Sequence, residues 1–134
     1  MSLRHARALA WEEQLKRVFD RVDHALEDKY GHLYPLHPAR PKRGDTSNPE
    51  SDGLFNVGAS FSAGYGSEHG PGYIVEVRIS TLSRVPPDVE EKIDEEVVSM
   101  LREELAKEFP GRTLHVSRDG HIYKIHGDLS LGDL

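Results

Sequence analysis

Two segments of this chain place apolar residues along one side of a helix and charged residues along the other. The first runs from about Arg4 to Tyr30 and stops at Gly31, a common residue just after a helix C-terminus. The second runs from about Pro87 to Phe109 and is ended by Pro110-Gly111. Because each helix has a single apolar stripe to bury, both helices need a common surface to cover.

That surface is predicted to be a sheet, since four other segments are extended and mostly alternate apolar with polar residues. Strands are expected at Phe55–Ala63 and Gly72–Leu82, which form a hairpin, and at Thr113–Arg118 and His121–His126. The predicted fold is α+β, in the order α-β-β-α-β-β, with a four-stranded, mostly antiparallel sheet and two helices packed on one face. The opposite face of the sheet is then polar.

The dipeptide Asp119-Gly120 between the last two strands favours a two-residue type I′ turn. Such a turn would set Arg118 opposite His121 and Val116 opposite Tyr123. This register puts Leu114, Val116, Tyr123 and Ile125 on the core side. It puts the remaining strand residues on the polar side: Thr113, His115, Ser117, Ile122, Lys124 and His126.

A length of 134 residues suits one domain, and we expect residues 1–134 to form one, with a short flexible tail at 128–134. Residues 31–53, called the strap below, form a long connection without periodic pattern. Its prolines Pro35, Pro38 and Pro41 are three residues apart, which favours a polyproline II conformation. We expect the strap to pack on the domain; the alternatives are disorder and a ligand for an aromatic-groove domain.

Composition narrows the functional classes. The chain has no cysteine, so disulfides, thiolate zinc sites and cysteine nucleophiles are excluded, and a reducing cytoplasm is the expected location. The formal net charge is −6, with the acidic excess after residue 43, which argues against nucleic-acid binding. We see neither a signal peptide nor an apolar run long enough for a bilayer, and expect no membrane association.

Candidate binding residues come from three places. The polar sheet face, the strap, and the loop at 63–72, called the glycine loop below, supply nine of them: Glu76, Arg78, His115, Lys124 and His126; Arg40, Lys42 and Arg43; and His69. The favoured interpretation of the polar face is a solvated surface, and the alternatives are a dimer interface and a ligand site. For the glycine loop, a hairpin connection with positive φ is favoured over a phosphate cradle, because a strand rather than a helix follows it.

The sequence assigns no catalytic or metal-binding role to any residue. His115 and His126 with Glu76 or Asp128 would supply three ligands for a metal, but nothing fixes their orientation, so no metal or cofactor is predicted. The serines near these histidines lack a nucleophile-elbow motif. Arg78 and Lys124 would lower the pKa of Glu76 rather than make it a base.

Two functional hypotheses remain. The first is a non-enzymatic binding or assembly module that uses the polar face and the strap, either as a homodimer or with another protein partner. The alternative is a small enzyme or metal-dependent hydrolase, with His115, His126, Glu76 and Lys124 around a pocket roofed by the strap. The sequence leaves open whether the protein is an enzyme.

Overall fold

The computed structural model describes residues 3–129. It contains two helices, α1 (Leu3–Tyr30) and α2 (Pro87–Glu108), and four strands, β1 (Phe55–Ser62), β2 (Gly72–Ile79), β3 (Leu114–Asp119) and β4 (Ile122–Gly127). A 3-10 turn at Pro49–Ser51 lies in the strap. The predicted element order and α+β fold are confirmed. Of the tail expected at 128–134, residues 130–134 lie outside the described residues.

All strands pair antiparallel, in the order β1-β2-β4-β3. Helix α1 packs against β1, and α2 packs against β3 and α1. Their apolar stripes share one core with the inward residues of all four strands, among them Phe55, Val57, Val75, Val116 and Ile125. The helices therefore cover a single face of the sheet. Neither helix in residues 3–129 combines the length and apolar character needed to cross a bilayer.

The β3–β4 hairpin has a different register from the predicted one. Asp119 pairs with Ile122 and Arg118 pairs with Tyr123, so the predicted pairing of Arg118 with His121 is wrong. The turn residues are Gly120, with φ of 67°, and His121, whose φ is not positive, as in a type II′ turn rather than type I′. Because the register shifts by an even number of residues, each side chain keeps its predicted face.

The strap packs on the domain at the Ile79 end of β2. Its Arg40 side chain donates hydrogen bonds to three main-chain carbonyls, those of Glu50, Asp52 and Gly53. The main-chain N–H of His37 donates to the carbonyl of Ser80 at 2.8 Å, and the Thr81 hydroxyl donates to the carbonyl of Pro35 at 2.6 Å. Residues just after β2 therefore bond to the strap, and β2 ends before the predicted Leu82.

Arg43 joins the strap to both α1 and β1. Its guanidinium pairs with the carboxylates of Asp52 at 3.0 Å and Glu27 at 3.3 Å, and donates to the carbonyl of Phe55 at 2.7 Å. Burial of Asp52 opposes ionisation, but hydrogen bonds from Thr46, with the charge of Arg43, lower the pKa of Asp52 below its usual value. A charged cluster of Arg43, Asp52 and Glu27 thus closes this end of the sheet.

Helix α1 also protects part of the outer edge of β1. The buried carboxylate of Asp23 accepts a hydrogen bond from the N–H of Val57 at 2.9 Å, and Glu27 accepts from the N–H groups of Leu54 and Phe55 at 3.0 and 3.3 Å. These amides point away from β2, where an edge strand has no partner strand. Two helix carboxylates therefore replace the missing strand along the first half of β1.

Asp23 has no exposed surface, and its Oδ2 has no hydrogen-bond partner among residues 3–129. Burial raises the pKa of Asp23 to about 7, although the N–H of Val57 and the charge of Arg43 act in the opposite direction. The folded protein consequently binds a proton here that the unfolded chain releases at lower pH. This group favours folding most strongly in acid and loses that contribution as pH rises through about 7.

We expect Asp23→Asn to remove this pH dependence. In the wild type, ionisation of Asp23 should lower the free energy of unfolding by up to about 4 kcal/mol between pH 4 and pH 8. Urea denaturation across this range measures the slope. The matched control is Asp28→Asn, at an exposed position of α1, which should retain the wild-type slope. Equal slopes in the Asp23 variant and the wild type would contradict the assignment.

Candidate partner-binding site on the polar sheet face

The glycine loop folds back over the polar face and covers Lys124. The Lys124 side chain is 2% exposed. Its ammonium donates to the hydroxyl of Ser67 at 2.6 Å and to the carbonyl of Gly70 at 2.9 Å, and it lies 3.0 Å from the carboxylate of Asp119. An ammonium has three N–H donors, and all three are used within the chain. Lys124 therefore fastens the glycine loop to the sheet.

Two glycines make this arrangement sterically possible. A Cβ at Gly64 would lie 2.1 Å from the carbonyl carbon of Gly70, and Gly64 has φ of 81°. A Cβ at Gly72 would lie 2.3 Å from the carbonyl oxygen of Ile125 and 2.8 Å from the Lys124 side chain. Both contacts are too short for any side chain, so the loop closes on itself and Lys124 passes beneath it only because these residues are glycine.

Ser67 and Asp119 complete the attachment of the loop. The Ser67 hydroxyl donates to the Asp119 carboxylate, and the N–H of His69 donates to the Ser67 hydroxyl at 3.2 Å. The hydrogen bonds from Ser67 and then Lys124 lower the pKa of Asp119 below its usual value. Ser67 thus donates a hydrogen bond to the Asp119 carboxylate and accepts one from the Lys124 ammonium.

Three histidines, called the imidazole cluster below, lie next to this attachment. His115 pairs with His126 across β3 and β4, and their ring centroids are 5.3 Å apart. The ring of His69, from the glycine loop, stacks on His126 at 4.4 Å with an angle of 19° between planes. His126 Nε2 lies 2.8 Å from the Ser117 hydroxyl, and His69 Nε2 lies 3.2 Å from the carbonyl of Arg118. The cluster therefore joins the loop to two strands.

Burial lowers the pKa of His126 below its usual value, and the neighbouring His69, His115 and Lys124 lower it further. Asp119 acts in the opposite direction. A neutral ring at His126 stacks on His69 without repulsion, whereas a protonated one would add a cation beside Lys124. Attachment of the glycine loop therefore favours the neutral form of His126.

Glu76 and Arg78 lie on the same sheet face as the cluster but farther along β2. Both are exposed, and they form an ion pair with each other at 3.6 Å. The pairing of Ile74 with Lys124 fixes this arrangement, because Glu76 and Arg78 follow Ile74 at the two-residue spacing of one strand face. The structure therefore brings His69, His115, Lys124 and His126 together, and leaves Glu76 and Arg78 on the open part of the face.

The three basic residues of the strap lie at the other end of the sheet. Arg40 and Arg43 are engaged in the internal contacts described above, and Lys42 is exposed. The strap borders a cavity of about 800 Å³ against the end of α1, lined by Tyr34, Leu36 and Leu54 among others. Because the strap meets β2 near Ile79 and the imidazole cluster lies near Gly72, the strap does not roof the polar face. Partner binding by these basic residues remains a prediction.

The arrangement of the polar groups limits the chemistry of this site. Within residues 3–129, no group of three or more His, Cys, Asp and Glu side chains is arranged to hold a metal ion. Because charged groups surround it, the Ser67 hydroxyl is the best candidate for a nucleophile. Lys124, however, donates a hydrogen bond to this hydroxyl, and its ammonium already has three acceptors. An activated nucleophile needs a base that takes its proton. The carboxylate that accepts from Ser67 is Asp119, whose pKa lies below its usual value, so it is a weak base. The geometry thus favours holding the loop in place over bond cleavage.

Sequence reasoning missed Ser67, Ser117 and Asp119 as site residues. The sequence pattern places Asp119 in the turn, and only the observed register makes it the last residue of β3, on the same face as Ser117. Strand alternation put Ser117 on the polar face, but its contact with His126 depends on the side-chain conformations. No local pattern in the sequence points to Ser67, because its partners Asp119 and Lys124 are more than 50 residues away in the chain.

We expect Lys124→Met to lower the free energy of unfolding by about 3 kcal/mol, because a buried ammonium that satisfies three oxygens is lost. Urea denaturation measures the change. The matched control is Lys107→Met, whose parent side chain is 71% exposed, and its effect should be below about 1 kcal/mol. Similar losses in the two variants would contradict a structural role for Lys124.

Acidification should loosen the glycine loop. Because the folded pKa of His126 is below its usual value, the folded state binds fewer protons than the unfolded state below about pH 6.5, and stability falls as pH decreases. Hydrogen-exchange protection factors for amides 64–72 should therefore decrease in acid. The decrease should be smaller in His126→Phe, which keeps a ring for stacking. In the control His24→Phe, on the exposed side of α1, it should be as large as in the wild type. Protection that is independent of pH in the wild type would refute this.

Comparison with known proteins identifies relatives of this chain. A protein of Borreliella burgdorferi, described as "Uncharacterized protein", is 42% identical over 117 residues, which cover 87% of this chain and 91% of that protein. No solved structure matches the chain. A family model described as "Uncharacterised protein" matches residues 6–127, a span that includes the strap, the glycine loop and all four strands. The chain therefore belongs to the family that this model describes.

Proposed function

We propose that this protein is a non-enzymatic binding or assembly module that works as a homodimer and presents its polar sheet face to a protein partner. The site residues on that face are His69, His115 and His126 of the imidazole cluster, with Glu76 and Arg78 beside them. The absence of cysteine supports a reducing compartment, and we propose the cytoplasm.

The observation that carries this proposal is the unequal covering of the two sheet faces. Both helices lie on one face, and among the described residues only the glycine loop folds over the other. Beyond the loop, exposed side chains from β1 and β2 lie on one continuous surface, including Ser60, Glu76 and Arg78. Ile74 is partly exposed among them. A surface with polar groups around an apolar residue has the composition of a protein interface.

The internal contacts of the most reactive groups support binding over catalysis. Lys124, Ser67 and Asp119 satisfy one another and hold the loop. His115 is exposed, and its ring can contact a partner without breaking a hydrogen bond to any other residue in 3–129, whereas His126 is bonded to Ser117. A partner that contacts the cluster would also contact the loop, so binding and loop attachment are coupled.

Light scattering on the eluate of a size-exclusion column tests the assembly state directly. We expect twice the chain mass of 15.1 kDa at tens of micromolar protein. A matched sample of Glu76→Lys tests the polar face: if this face serves a different partner, the variant should still elute as a dimer. A wild-type monomer at these concentrations would overturn the homodimer proposal.

A further inference from the structure

The outer edge of β1 is protected along only half of its length. Asp23 and Glu27 of α1 accept the outward N–H groups of Phe55 and Val57, and Arg43 donates to the outward carbonyl of Phe55. In an antiparallel pair the residues that face outward alternate, so the next outward groups belong to residues 59 and 61. Their main-chain groups have no hydrogen-bond partner within residues 3–129. The second half of the edge is therefore free to pair.

The course of α1 explains why protection stops there. At Asp23 the helix lies beside the edge of β1, but at Trp11 it has moved inward over β2, where the indole N–H donates to the hydroxyl of Tyr73 at 3.0 Å. The inward displacement leaves a groove of about 280 Å³ between α1 and the free edge, lined by Leu15, Phe19 and Phe61 among others. An apolar side chain from an added strand could enter this groove.

The free edge also lacks the usual protection against pairing. Natural edge strands carry charges, prolines or bulges that prevent another strand from adding. Residues 55–62 contain neither a charged residue nor proline, and β1 pairs with β2 without interruption. Phe61, at the end of this strand, is 62% exposed. An uncharged, regular edge with an exposed aromatic ring is the kind that associates.

We propose that this edge pairs with the same edge of a second copy of the chain, around a two-fold axis at Ser60. The inference rests on the homodimer of the proposed function and locates its contact. In this register Ala59 faces Phe61 of the partner subunit, and Phe61 faces Ala59 of the partner subunit. Each of these two pairs exchanges two main-chain hydrogen bonds, so all the free outward groups of residues 59 and 61 are satisfied.

The side chains favour this self-pairing over an unrelated peptide. Phe61 and Ala59 lie on the helix side of the sheet, so each large ring meets a small residue of the partner beside its groove. The charged residues that line the groove are Glu12, Lys16 and Glu50, with Lys16 and Glu50 paired at 3.7 Å. The groove therefore carries a formal charge of only −1 with which to select a charged peptide. The two-fold axis makes one eight-stranded sheet, with both imidazole clusters on the same side.

A cysteine at the axis tests the register. Ser60 would oppose Ser60 of the partner subunit as a non-hydrogen-bonded pair, with Cα atoms about 4.5 Å apart, a spacing that a disulfide can span. Since the natural chain has no cysteine, Ser60→Cys should form a covalent dimer under mild oxidation. The matched control, Ser62→Cys on the same strand face, would be about 13 Å from its counterpart and should not form one. Equal cross-linking of both variants, or of neither, would overturn this register.

Removal of the exposed ring tests the contact itself. Phe61→Glu should raise the dimer dissociation constant by at least about 30-fold, because it puts two carboxylates into the paired edge. Leu82→Glu, at another exposed apolar residue, should leave the constant unchanged. A dimer that survives Phe61→Glu, with no cross-link at residue 60, overturns the edge contact but not the homodimer. A wild-type monomer overturns both. If the NMR signals of the amides of residues 59 and 61 in that monomer shift when a valine-threonine repeat peptide is added, the edge binds a peptide ligand instead.

Discussion

The structure depends on the fact that two helices with one apolar stripe each can cover only one face of a four-stranded sheet. Burying these stripes supplies the main driving force for folding. The other face then has no helix to cover it, and its central strand β4 carries Lys124. That ammonium is buried by the glycine loop rather than by a layer of secondary structure, and it is stable there because Ser67, Gly70 and Asp119 supply oxygen atoms to its three donors.

Charged networks fix the two ends of the sheet. Near Ile79, Arg43 forms ion pairs with Asp52 and Glu27 and so links the strap to α1. Near Gly72, Lys124 forms an ion pair with Asp119 and links the glycine loop to β4. Buried ion pairs add little net stability when compared with apolar packing, since desolvation opposes them, but an incomplete pair is costly. These networks therefore select one position for each long loop. That selection keeps the imidazole cluster assembled and leaves the second half of β1 open.

Much of the fold could be predicted from residue patterns, because a helix or strand with one apolar side shows its period locally. The faces of β3 and β4 were correct even though their register was wrong, since a shift of two residues preserves alternation. The site was predicted less completely. His115, Lys124 and His126 were assigned to one face, but Lys124 is an internal anchor, and Ser67 and Asp119 entered only through contacts across more than 50 residues.

The sequence by itself determined the order of the elements and the division of the sheet into an apolar and a polar face, because both follow from spacing along a few neighbouring residues. Tertiary structure alone decided where the loops lie, which half of β1 is protected, and which polar groups are satisfied. The physical reason is the separation along the chain over which each property is set. Periodicity is a local property of the chain, whereas a hydrogen bond from Lys124 to Ser67, or from Val57 to Asp23, depends on how distant segments pack.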